Sequence, residues 1–107
     1  MTRAECPACP AYLVGVLRER WELLAPELSA AGSLVDWNVD LLAKYILAEN
    51  EYLRVSTLVQ NAISRGDGDD ANKWLVAQDR LTKQILTLGA EFGLTPKSRR
   101  AQGIGRR

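Results

Sequence analysis

NVDLLAKYILAENEYLRVSTLVQNAISRGDGDDANKWLVAQDRLTKQILTLGAEF, residues 38–92, decides the fold. Up to Ser64 it holds no glycine or proline, and its apolar residues recur at steps of three and four, the period of a helix. One stripe runs through Leu42, Tyr45, Ile46, Tyr52, Leu53, Val59 and Ile63, and a second, displaced around the axis, through Leu41, Ala48, Val55, Leu58 and Ala62. A surface helix needs one apolar face. Two faces place this helix in a sandwich, inside a domain or between subunits. Ser64-Arg65-Gly66-Asp67-Gly68-Asp69-Asp70 is a turn by composition. A third helix follows from about Ala71 to Phe92, with Trp74, Ala77, Leu81, Ile85, Leu88 and Phe92 on its main stripe and Leu75 and Leu86 beside it.

The two helices form an antiparallel hairpin of roughly 35 Å at 1.5 Å per residue. Leu53 and Leu81 are expected in its core. Apolar residues on its outer faces exceed what the rest of so short a chain can cover, which predicts self-association. Leu41, Tyr45, Tyr52, Val55, Leu58, Leu75 and Leu86 are the expected interface between copies.

Outward from the hairpin, the N-terminal side offers one short helix, from about Tyr12 to Ala31. Leu13, Val16, Leu17, Trp21, Leu24 and Leu28 make its stripe. Pro26 interrupts the pattern and predicts a kink or break near Ala25. Gly32 is a C-terminal stop, residues 33–37 a connector, and Asp36 or Asn38 the cap of the long helix. No stretch alternates as a half-buried strand does, so the fold class is all-α. The chain divides into an extended or disordered lead-in at 1–11, a helical oligomerisation domain at 12–93 and a tail at 94–107.

Charge is unevenly placed. Residues 1–35 balance to −1, residues 36–91 to −3, and the last eleven hold Lys97, Arg99, Arg100, Arg106 and Arg107 with no acid. The 107 residues contain no histidine. That removes the commonest general base and every Ser-His or Cys-His nucleophile. Glu49 and Glu51 do not share a helix face, and no phosphate-binding glycine loop precedes a helix. No catalytic residue and no cofactor site is predicted. Cys6 and Cys9 form a C-x-x-C, but a structural zinc site needs four ligands and no further cysteine or histidine completes one. Two copies sharing one metal is the alternative to a Pro-rich lead-in with reduced thiols; the latter is adopted. The Asp-x-Asp of the turn lacks the length and closing glutamate of a calcium loop, and its acids instead suit the N-terminus of the next helix. No metal site is expected. No apolar run approaches a membrane span, and Glu5 with two prolines replaces the core of a signal peptide. A cytoplasmic protein is expected.

The third helix ends in Glu91-Phe92-Gly93-Leu94-Thr95-Pro96-Lys97-Ser98-Arg99-Arg100. Gly93 suits the left-handed C′ position, Leu94 packs back on the last turn, and Pro96 prevents continuation. An E-F-G-L-T-P-x-S-R string closing a helical hairpin resembles the C-terminal signature of small terminase subunits of tailed bacteriophages. Upstream the resemblance runs through Cys6-Pro7, Trp21 with Leu24-Ala25-Pro26-Glu27-Leu28, Gly32 and Leu42-x-x-Tyr45, so that it covers residues 6–100 in order. It departs at Asn38, where an acidic residue is expected, and at the turn 64–70, which is shorter than usual and lacks an Asn-Pro. The resemblance implies a non-enzymatic adaptor that forms rings, binds double-stranded viral DNA and presents it to the large terminase subunit, the motor and nuclease.

For DNA contact the first candidate is the tail, Lys97, Arg99, Arg100, Arg106 and Arg107. Five neutralised phosphates give a log-log salt slope of about −4 to −5 on duplex DNA, and a ring multiplies weak tails by effective concentration. The second candidate is a helix-turn-helix from the first helix, the turn at Gly32 and the start of the long helix. Residues 38–44, with Asp40 and a single cation, equip it poorly for a groove. A competing function is a helical phage structural or regulatory oligomer that binds protein only.

Overall fold

A computed structural model describes residues 6–94, and those residues are all-helical: α1 Val16–Ala30, a single 3-10 turn Asp36–Asn38, α2 Val39–Ser64 and α3 Gly68–Glu91. The Cα radius of gyration is 16.4 Å with extents of 60 × 31 × 22 Å, against roughly 13 Å for a compact chain of this length. α2 and α3, about 39 Å and 36 Å long at 1.5 Å per residue, pack along each other as a hairpin, and α1 packs on α2.

Each helix ends in the same way. Ser33 N donates to Leu28 O at 2.8 Å and Gly32 N to Ser29 O at 3.0 Å. Asp67 N reaches Ala62 O at 2.9 Å, and Leu94 N reaches Gly89 O at 2.9 Å. The bonds from Ser33, Asp67 and Leu94 are the six-to-one bonds of the Schellman closure and that from Gly32 is its five-to-two bond; the motif needs a left-handed residue at C′. Gly32 at φ 82° and Gly93 at φ 71° supply it at α1 and α3. Leu94 packs back on the core and Phe92 is fully buried, so the first half of the C-terminal signature is a device for closing the fold. Asp67 caps α3, accepting from Asp70 N at 3.0 Å, so the helix starts at Gly68 rather than the expected Ala71 and takes the acidic Asp69 and Asp70 into its first turn.

Two expectations are corrected. The first helix begins at Val16 rather than Tyr12, because Leu13 N bonds Pro10 O at 3.1 Å and Leu13 is driven fully into the core. Pro26 does not break α1, which runs on to Ala30. Pro26 and Glu22 are both on the exposed side, where the carbonyl freed one turn earlier faces solvent rather than apolar side chains.

Asn38 sits at the N-terminus of α2, as predicted, but its side chain makes no forward cap bond. It turns back on the connector: Val35 N donates to its Oδ1 at 2.9 Å and its Nδ2 donates to Ser33 O at 2.8 Å. A carboxylate accepts the first bond but cannot donate the second. Asparagine at this position therefore does what an acidic residue does not.

The core gathers at one end. Leu13, Trp21, Ala25, Leu28, Leu34, Leu42, Ala43, Tyr45, Ile46 and Phe92 form a single buried cluster. Around the first third of α2, Leu42, Ala43, Tyr45 and Ile46 are buried on more than one face, because α1 covers one side and α3 the other. Asp40, Lys44 and Leu47 face solvent. From Val55 onward only Val55, Val59 and Ala62 are buried, a single face toward α3. The sandwich read from the two stripes is thus intramolecular at the base. Leu53, expected in the core, is 66% exposed, and Ile63 is 57% exposed; Leu81 is half-buried.

Candidate interaction groove

α1 packs on α2 at the base of the hairpin without a close backbone approach to α3, and the space left between them is a groove of about 540 Å³. Val16, Leu17 and Arg20 of α1 form one wall, Ile46, Glu49, Asn50, Tyr52 and Leu53 of α2 the floor, and Thr82, Ile85 and Leu86 of α3 the other wall. Its walls are mainly apolar. The polar feature is a bidentate ion pair: Arg20 Nε donates to Glu49 Oε1 at 3.0 Å and Nη2 to Oε2 at 3.1 Å. This fork fixes α1 on α2 across 29 residues of sequence and raises the Arg20 pKa further above its usual value. Tyr45 lies buried behind it. Burial first, then the charge of Glu49, pushes its phenol up to about 12.

Six of the eight cations in residues 6–94 are within 4 Å of an acid. Arg18 meets Glu22, Arg20 meets Glu49, and Arg54 meets Glu51. Arg65 and Lys73 converge on Asp70, and Lys83 meets Asp79. The Asp70 carboxyl is held below its usual pKa by hydrogen bonds from Lys73 and Arg65. Lys44 and Arg80 stand outside this set among the described residues. Against eight cations these residues carry twelve acids, so the helical body presents little free positive charge. At the connector, Trp37 is 83% exposed between Asp36 and Asp40; the helix-turn-helix candidate thus offers carboxylates where a DNA reader needs cations.

Lys97, Arg99, Arg100, Arg106 and Arg107 lie outside the described residues. The seven expected interface residues fall into three environments. Tyr45 and Val55 are buried within the fold, Leu41, Tyr52 and Leu58 are half-buried, and Leu75 and Leu86 are 42% and 54% exposed. Val16, Leu17 and Leu53 also line the groove; the sequence placed them on apolar stripes but not among the seven interface residues. Steps of three and four put Leu53 on an apolar stripe, but whether another helix covers that stripe is not encoded locally. Cys6 is exposed, and Cys9 packs against the base core. Among the described residues no three metal-ligating side chains cluster, and no helix is long and apolar enough to cross a membrane.

Together these features define a class: a small helical-hairpin protein with an open, mainly apolar groove and an acidic body. A family model described as phage terminase, small subunit, matches residues 18–106. The chain belongs to that family, as the signature at Glu91–Arg100 implies, and the family carries a role in phage DNA packaging. No curated protein and no solved structure matches it.

Proposed function

We propose that this chain is a non-catalytic packaging adaptor in the cytoplasm of an infected bacterium, which self-assembles, binds the double-stranded phage genome and presents it to the large terminase subunit. The observation that carries the reading is the family match, which runs through the tail to residue 106. The charge distribution supports placing the DNA contacts in the tail. A body with twelve acids and eight cations, six of the cations already paired, repels phosphate, whereas residues 97–107 are purely cationic. Lys97, Arg99, Arg100, Arg106 and Arg107 are therefore the DNA-binding residues of this proposal. Copies joined in a ring display many such tails, and effective concentration converts weak single contacts into useful affinity.

The test is duplex-DNA binding by the full chain and by a chain lacking residues 97–107, across a salt series. Loss of most affinity, with the log-log slope falling from about −4 or −5 toward zero, supports the assignment. Unchanged affinity after deletion removes the tail from the mechanism. No salt-dependent binding by either chain favours the competing helical oligomer that binds protein only.

A further inference from the structure

The base of the molecule carries an exposed aromatic patch that neither the core nor the groove uses. Trp37 is 83% exposed, the most of any large apolar side chain among the described residues. Tyr12, 56% exposed, stands against Asp40: slight burial first, then the Asp40 carboxylate, raises its phenol pKa. Asp36 and Asp40 are both exposed, four residues apart and so about one helical turn, and Trp37 precedes Asp40 by three on the same surface. Asn38 between them is turned inward onto the connector, which holds the patch on a fixed backbone. Neither Asp36 nor Asp40 has a cation within 4 Å among the described residues, unlike Glu49 in the groove and Asp70 at the tip. Lys44, one turn beyond Asp40, bounds the patch along α2.

We propose that this patch docks the cationic tail of the same chain, residues 97–107, and so holds it back from DNA. The proposal rests on the tail being the DNA-binding segment. Three observations favour the tail as the occupant. The first is position. In an antiparallel hairpin the start of α2 and the end of α3 share one end, and Leu34 and Val39, which flank the patch, pack in the same core cluster as Leu94. Residues 95–107 can span roughly 43 Å at about 3.3 Å per residue, about four helix diameters. The second is chemistry. A guanidinium stacks on an indole face while pairing with a carboxylate beside it, and Lys97, Arg99, Arg100, Arg106 and Arg107 come with no acid of their own. The third is selection. Glu49 and Asp70 are already neutralised, so Asp36 and Asp40 are open carboxylates beside an aromatic surface at the end where the tail begins. The same carboxylates repel a DNA backbone. Patch and phosphates thus compete for one set of cations, and the fraction of chains with a free tail scales the DNA affinity.

Acrylamide quenching of tryptophan emission tests the contact, with Trp37→Phe used to subtract Trp21 and Trp74. Trp37 is expected to be at least about twofold less quenched in the full chain than in a chain lacking residues 97–107, since a tail docked more than half the time halves access to the indole. The protection is expected to vanish in Asp36→Asn/Asp40→Asn, whose side chains lie on the surface and leave the core intact. That pair is also expected to bind duplex DNA at least about threefold more tightly than wild type as more tails are free. Glu19→Gln/Asp69→Asn removes two exposed, unpaired charges outside the patch and is expected to change little. Equal quenching with and without the tail overturns the docking. Equal tightening by both pairs of substitutions makes the effect one of overall charge and overturns the competition. Protection that appears only as concentration rises places a neighbour's tail on the patch and overturns the assignment to the same chain. Protection of Trp37 in a chain that binds no DNA leaves the contact standing and removes the tail's role in DNA binding.

Discussion

The two ends of the hairpin are built by different rules. At the base, α1, the first third of α2 and the end of α3 converge, and Leu13, Trp21, Leu34, Leu42, Ile46 and Phe92 are all at most 2% exposed. Toward the tip, two helices face each other through small residues, Val55, Val59, Ala62 and Ala71, and the ends are held by Asp67 at the cap and Arg65, Lys73 and Asp70 in ion pairs. Three layers enclose large side chains; two layers leave half of each helix in water. The base is where stability resides, and the tip leaves apolar surface exposed at Leu53 and Ile63. The packing of α2 thus changes along its length: its first third is enclosed by α1 and α3, and its remainder is buried on one face, against α3.

The comparison yields graded expectations. Phe92→Ala removes the largest fully buried side chain at the base and is expected to cost about 3–5 kcal/mol, seen as a large fall in denaturation midpoint. A small change there means that the base is not the stabilising end. Asp67→Ala removes the cap of α3 at the tip and is expected to cost about 1 kcal/mol, measured by the same denaturation. A loss as large as that of Phe92→Ala erases the distinction between the ends. The smallest effect near neutral pH belongs to Tyr45. Its folded pKa, raised from 10 to about 12, keeps the phenol protonated where an unfolded chain releases its proton. The unfolded state then binds fewer protons, so this contribution is fully present below pH 10 and is lost as pH rises from about 10 to 12. Absorbance titration of tyrosinate is expected to show a phenol titrating at about 12 that disappears in Tyr45→Phe. Loss of no such phenol in that variant contradicts the burial of Tyr45 at the base.

Much of this architecture was legible in the residue pattern. The helix ends at Gly32, Gly66 and Gly93 follow from local stereochemistry, because a left-handed residue is needed wherever a helix closes in a Schellman turn. The helical period, the acidic cap at Asp67 and the closing role of Phe92 and Leu94 follow from neighbours within one or two turns. The start of α1 was read four residues early, since apolar spacing alone does not reveal that Leu13 is pulled inward by a turn at Pro10. Pro26 was read as a break because its position relative to solvent depends on which side α1 presents to α2. Leu53 was placed in the core by its period, and its exposure follows only from where α1 stops.

By itself, then, the sequence determined the helices, their ends, the acidic body with its cationic tail, and the family signature, all of which are local or summed properties of the chain. Only the tertiary structure decided which of the two apolar stripes on α2 is covered, that Asn38 locks the connector through bonds in both directions, and that Arg20 and Glu49 meet to frame a groove beside Leu53 and Leu86. The physical reason is that periodicity states how many faces a helix can bury, whereas the reach of the neighbouring helices settles which of them remain open.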